Sequence, residues 1–197
     1  SSAFQGTYNQ TGENASITFS GNDAALFSGT KNIQNGSITV SVPSYQFIYN
    51  SANSKKISLA NDTTATINVT NGNTSTIPLY SIFNIGSSAS GIELNFGKYS
   101  NTNPTYILPN TKIGNGSNNI NFSNSDIKLS NVTYNDNMYK FTDSLLDLSD
   151  NSTQTYTFNN LSLNNVSLKV DLDIRNASTV DRVVVNNLFS NNSVTLT

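Results

Sequence analysis

Hydrophobic and polar residues alternate in short runs along this chain, and they hardly ever recur at helical spacing. Ser16 to Phe19, Ser37 to Val42, Tyr45 to Tyr49, Lys56 to Leu59, Ala65 to Thr70, Gly91 to Phe96, Asp126 to Leu129 and Thr155 to Phe158 are rich in Ile, Val, Thr, Tyr and Phe, and each predicts a strand. Leu168, Val170, Leu172 and Ile174 alternate with Lys169, Asp171, Asp173 and Arg175, the pattern of a strand with one apolar and one charged face. Between Ile77 and Ile85 the parity breaks. Leu79, Phe83 and Ile85 fall on one side and Tyr80 and Ile82 on the other, which predicts a strand buried on both faces. The one helix candidate is short, Asp143 to Leu148.

Turn chemistry changes partway along. All 11 glycines and all 4 prolines lie at or before Gly116, so the last 81 residues must turn without either. Asparagine tolerates the left-handed conformation best among the substitutes, which makes Asn118-Asn119, Asn159-Asn160, Asn164-Asn165, Asn186-Asn187 and Asn191-Asn192 the expected turns or bulges. Leu161 and Leu163 share one parity and Val166 and Leu168 the other, a flip that a bulge or tight turn at Asn164-Asn165 explains. No fixed repeat of 20 to 50 residues is visible, which counts against a regular solenoid. The expected architecture is an all-β antiparallel β-sandwich, immunoglobulin-like or pilin-like, with a weak boundary near 115 to 125 that allows two lobes.

Composition sharpens the picture. Thirty-four of the 197 residues are asparagine, and fourteen stand in the acceptor pattern for N-linked glycan: Asn9, Asn14, Asn35, Asn61, Asn68, Asn73, Asn115, Asn121, Asn131, Asn151, Asn160, Asn165, Asn176 and Asn191. Chance alone would give about nine such triplets at this content of Asn, Ser and Thr. The excess points to an exported, glycosylated, cell-surface protein; the competing reading is a polar surface of biased composition. Charged residues make up 11 % of the chain and the net charge is −2, so no electrostatic footprint for nucleic acid or anionic lipid is present. No apolar run is long enough to span a bilayer, and none predicts membrane insertion. The opening Ser-Ser-Ala-Phe-Gln-Gly-Thr-Tyr has no charged-then-apolar leader and predicts a mature, processed chain. Few carboxylates and no histidine predict tolerance of acid.

Chemistry is sparse. Histidine, cysteine and tryptophan are absent, which excludes the ordinary triad, the thiolate nucleophile and the usual N/S zinc site, and no enzyme activity, catalytic residue, metal site or cofactor beyond covalent glycans is expected. Asp143, Asp147, Ser149, Asp150 and Asn151 resemble the start of a Ca²⁺ loop, but Ser152 and Phe158 stand where its Gly and Glu belong, and a solvated acidic loop is the expected state. Lys98 and Lys140 lie beside aromatic residues and raise an isopeptide cross-link to asparagine, without an evident carboxylate partner.

A cysteine-free, sequon-dense, all-β chain of this size resembles the thread-filament subunits of thermoacidophilic archaea. That resemblance implies a sandwich head, residues 13–197, joined by an N-terminal donor strand, residues 1–12, into an extracellular homopolymer by head-to-tail strand addition. Phe4, Gly6 and Tyr8 share one parity and Ala3, Gln5 and Thr7 the other, so Phe4 and Tyr8 would anchor the donor and Gly6 would allow close approach. A second, local resemblance joins Asp181-Arg-Val-Val-Val-Asn-Asn and Ser193-Val-Thr-Leu-Thr to the terminal passenger segment of bacterial autotransporters, and implies a β-helix.

Overall fold

The computed structural model describes residues 6–20, 29–42, 56–72, 76–79, 82–101, 103–108, 113–130, 133–172 and 180–197. Among these residues there are thirteen strands and no helix, and every pairing between strands is parallel. The chain is a parallel β-solenoid. The expected antiparallel sandwich is thereby overturned, and so is the argument against a solenoid.

Three stacks of strands form its sides. The first contains β1 (Thr7–Gln10), the opening residues of β3 (Thr30–Val42) and of β4 (Ile57–Asn71), and β6 (Phe83–Ile85). The second runs from β2 (Ser16–Ser20) through the later parts of β3 and β4 to β7 (Glu93–Lys98) and β9 (Asn119–Ser123). The third stacks β5 (Thr76–Pro78), β8 (Thr105–Leu108) and β10 (Asp126–Leu129). Toward the C-terminus the sides fuse into long strands, β11 (Thr133–Asp147), β12 (Thr155–Lys169) and β13 (Arg182–Leu196), each of which passes both corners without leaving the sheet.

Alternation within each side sends one parity inward, and stacking turns those positions into columns. Ile38, Ile67, Leu94, Ile120, Tyr139 and Leu161 form one column, all buried. Beside it Val40, Val69, Phe96, Phe122, Phe141 and Leu163 form another, with the Phe96–Phe122 and Phe122–Phe141 rings stacked at centroid distances of 5.0 and 5.5 Å. Tyr134 stacks on Phe158 at 4.9 Å in the same way. Burial of the Tyr106 phenol holds it protonated far above the ordinary range, and its hydroxyl donates to the Gly97 carbonyl at 3.0 Å.

Rungs differ in length, which is why no repeat is visible in the sequence. Stacked partners are 29 residues apart at Thr39 and Asn68, 27 at Asn68 and Asn95, 26 at Asn95 and Asn121, 19 at Asn118 and Asn137, and 22 at Asp143 and Asn165. Hydrogen-bond register, not chain spacing, keeps the columns aligned.

Several local expectations change with the fold. The parity break between Ile77 and Ile85 is a corner: β5 and β6 belong to different sides, and Leu79 and Ile82 between them are both buried. Asp143 to Leu148 is not a helix, because Ser144 to Asp147 pair with Val166 to Lys169 as strand. The strand over Leu168 to Ile174 ends at Lys169, and Leu172 is 61 % exposed; Ile174 lies outside the described residues. Of the expected asparagine turns, Asn165 holds with φ of 52°, whereas Asn159-Asn160 and Asn186-Asn187 continue their strands.

Candidate functional site

The outward positions of the second side carry a motif that becomes visible only in register. Ser16-Ile-Thr-Phe-Ser, Ser37-Ile-Thr-Val-Ser, Thr66-Ile-Asn-Val-Thr and Asn119-Ile-Asn-Phe-Ser stack with hydrophobic residues inward and Ser, Thr or Asn outward. In the central outward column Asn68 Nδ2 donates to Thr39 Oγ1 at 3.3 Å, Asn95 Nδ2 to Asn68 Oδ1 at 2.9 Å, and Asn121 Nδ2 to Asn95 Oδ1 at 2.7 Å. Amide ladders of this kind tie one rung to the next, because the amide spacing matches the strand spacing. The ladder stops at Asn121, whose Oδ1 is buried without a hydrogen-bond partner. Its registered neighbour on the next rung is the exposed Lys140. Among the described residues of that column no carboxylate stands beside the pair. Lys98, the other lysine considered for an isopeptide link, is registered with Asn71.

Further short ladders join Asn32 to Asn9, Asn186 to Asn159 and Asn187 to Asn160, at 2.8, 3.2 and 3.2 Å. Asparagine thus links rungs as well as forming turns and sequons.

At the corner between the first and second sides, buried polar side chains hold the chain. Gln10 Nε2 donates to the carbonyls of Asn35 at 2.8 Å, Ser37 at 3.1 Å and Ala15 at 3.3 Å. Four rungs onward, Asn118 Nδ2 donates to the Ile113 and Ala89 carbonyls at 3.0 and 3.2 Å, and its Oδ1 accepts from the Ile92 amide at 3.0 Å. Asn137 repeats the arrangement on the next rung, accepting from the Asn118 amide at 3.1 Å. A buried amide group is tolerated here because its donor and acceptor both find partners, backbone amides for the Asn118 and Asn137 oxygens and the Tyr8 hydroxyl, at 2.8 Å, for Gln10 Oε1.

The corner between the second and third sides is built otherwise. Asn124, Asp143, Asn165 and Ser193 occupy equivalent positions, with φ of 48°, 48°, 52° and 52°. None is glycine. The acidic segment from Asp143 to Asn151, expected as a solvated loop, contains strand as far as Asp147, and its carboxylates serve as caps. Asp143 Oδ1 accepts from Asn165 Nδ2 at 2.7 Å, and Asp147 Oδ1 accepts from the Ser149 amide at 3.0 Å. Asp171 Oδ2 receives the amides of Asp150 and Asn151, each at 2.7 Å. Burial alone would raise the Asp147 pKa, but hydrogen bonds from Ser149 and the Lys169 ammonium 3.4 Å away outweigh it and hold the carboxylate below its ordinary range. Asp126 is shifted the other way by burial and by the charge of Asp147, with partial relief from Asn103. Among the described residues no cluster of three metal-ligating side chains occurs, and no helix is long and apolar enough to cross a membrane.

The expected glycan and joint residues fall in several environments. Asn9, Asn14, Asn61, Asn115, Asn151 and Asn165 are exposed, and Asn35, Asn68, Asn121 and Asn160 are half-buried. Asn73, Asn131 and Asn176 lie outside the described residues, and Asn191 lies within β13. Ala3, Phe4 and Gln5 are likewise outside the description. Gly6 is exposed, and Thr7 and Tyr8 begin β1, which pairs with Thr30 to Ile33 of its own chain. Donor-strand completion of a sandwich is therefore corrected: there is no sandwich groove to complete, and this strand is a rung of its own solenoid.

The last rung is unlike the rest. Among the described residues β13 pairs on one side only, with β12, and four of the five large exposed hydrophobic residues lie on it, Val184, Leu188, Phe189 and Leu196, while the fifth, Leu172, follows β12. Leu188 continues the Ile38 column and Leu196 lies above Leu168, yet they are 49 % and 71 % exposed. Comparison of the chain with protein-family models, curated proteins and solved structures returned no match.

Proposed function

We propose that this chain is a non-catalytic, shaft-forming module of an extracellular surface protein, similar in architecture to the β-helical passenger of a bacterial autotransporter. The observation that carries this reading is the unbroken set of inward columns from β2 to β12, a quasi-one-dimensional stack that extends by adding rungs. The outward Ser, Thr and Asn ladders and the low charge suit a surface that faces water without recruiting nucleic acid or lipid. The polar groups buried at the first corner hold backbone groups of neighbouring rungs, which is a structural use of them. Mild protease treatment of intact source cells, followed by detection of this chain's peptides, tests the proposal. Release of its peptides from intact cells is expected; full protection until the cells are lysed would refute an extracellular shaft.

A further inference from the structure

We propose that glycans attach along one corner of the solenoid, at Nδ2 of Asn14, Asn61 and Asn115, while the ladder asparagines Asn68 and Asn121 stay bare. The inference rests on the surface-protein reading and narrows it to positions.

Placement is the first argument. Asn14 lies in the turn between β1 and β2. Asn61 lies in β4 between Leu59 and Thr64, the residues registered with Ile33 and Asn35, and so at the same corner two rungs on. Asn115 lies between Gly114 and Gly116 in the turn that leads into β9. All three are exposed, and all three lie at the corner between the first and second sides, Asn115 with its amide on the Ala89 carbonyl of the preceding rung.

The second argument is which atom of each amide the fold already uses. Asn61 Oδ1 accepts from the Ser88 amide at 3.2 Å, and Asn115 Oδ1 accepts from the Ser117 amide at 2.8 Å. Their carbonyl branches fasten the turn, and the nitrogen branch of the planar group is left for chemistry. At Asn68 and Asn121 the nitrogen is the engaged atom, donating to Thr39 and to Asn95. Asn35, also at the corner, spends its nitrogen on the Thr11 carbonyl at 2.9 Å. Space gives the third argument: rungs are only about 4.8 Å apart, so a sugar ring on Asn68 would have to stand over Thr39 or Asn95.

The reaction requires a glycosyl donor activated as a lipid-linked phosphate or diphosphate, together with its transferase. Nδ2 attacks the anomeric carbon, the N–C bond forms, and the C–O bond to phosphate breaks with its electron pair leaving on the lipid phosphate. One Nδ2 proton passes to a base of the transferase. Nothing is oxidised or reduced, and the Oδ1 hydrogen bonds of Asn61 and Asn115 survive.

Glycopeptide mass mapping of the protein purified from its native cell surface is the test. Sugar at Asn14, Asn61 and Asn115, with Asn68 and Asn121 unmodified, is expected. Sugar on Asn68 or Asn121, or a bare corner while other sequons are occupied, would overturn the stripe and leave the surface-glycoprotein reading standing. Absence of sugar at every site would overturn the stripe and glycosylation with it, and would leave the extracellular shaft to its own protease test. In a secretory host that glycosylates the chain, Asn61→Gln and Asn115→Gln should each remove one step from the ladder of glycoform masses, whereas Asn68→Gln should remove none; a lost step with Asn68→Gln counts against the proposal.

Discussion

The first corner of the solenoid is crowded and the second is open, although both turn the same chain. At the first, an added Cβ on Gly36 or Gly114 would overlap the carbonyl oxygen of Ala15 or Ala89 on the preceding rung, and both glycines have positive φ, 79° and 60°. At the second, four residues with side chains take the left-handed conformation in register. Three of them, Asp143, Asn165 and Ser193, are exposed, so their Cβ atoms meet no packed rung. The lesson is that glycine is demanded by close backbone approach more than by positive φ itself, because Asn and Asp accept αL at modest cost when space is available. Glycine can therefore vanish after Gly116 without loss of turning.

The largest expected effect probes the buried polar brace of the crowded corner. Asn118→Ala leaves the buried Ile92 amide without its acceptor, at about 1–3 kcal/mol, and removes one of two donors from each of the Ala89 and Ile113 carbonyls, which keep the Asn115 amide and Asn137 Nδ2; it should lower unfolding free energy by about 3–5 kcal/mol in a denaturant titration. A loss below about 1 kcal/mol would mean that water or a shifted backbone replaces the side chain.

Substitution of the turning residues separates the corners directly. Gly114→Ala combines a strained φ with overlap and should cost about 2–4 kcal/mol. Asn165→Gly relieves the αL cost but loses flexibility restraint and the bond to Asp143, so its net effect should stay within about 1 kcal/mol of zero. Equal losses at the two sites would erase the distinction between them.

The smallest effect is expected in acid, just past the open corner. Asp147, with its folded pKa lowered, contributes stability above its unfolded value near 3.8, and that contribution is lost as pH falls through the folded pKa. Asp126, with its folded pKa raised, works in the opposite sense: its contribution is present below its unfolded pKa and is lost as pH rises through the folded one. The two oppose each other, and the thermal midpoint should move little between pH 7 and pH 3. Loss of native structure within that window would show that another carboxylate dominates.

Strand content was legible because alternation over five residues is enough to mark a half-buried strand, as in Ser37-Ile-Thr-Val-Ser. The left-handed turn at Asn165 was legible too, since the side-chain parity flips there. The direction of pairing was not. An apolar-polar alternation such as that of Ile67 and Val69 serves an antiparallel sandwich and a parallel rung equally well, because both bury one face. The solenoid signal itself, a repeated period, was erased by rung spacings that range from 19 to 29 residues. The ladder of Asn68, Asn95 and Asn121 left a trace in the asparagine count but none in spacing, for the same reason.

The sequence alone determined an all-β chain whose polar chemistry is amide and hydroxyl rather than acid-base, since strand alternation and side-chain inventory are local properties. Which asparagines link rungs, which brace the crowded corner and which face solvent were decided by tertiary structure. Stacking brings together residues 19 to 29 positions apart, and hydrogen-bond register across that distance is set by the packing of Ile, Leu and Phe columns, a cooperative property that no local window contains.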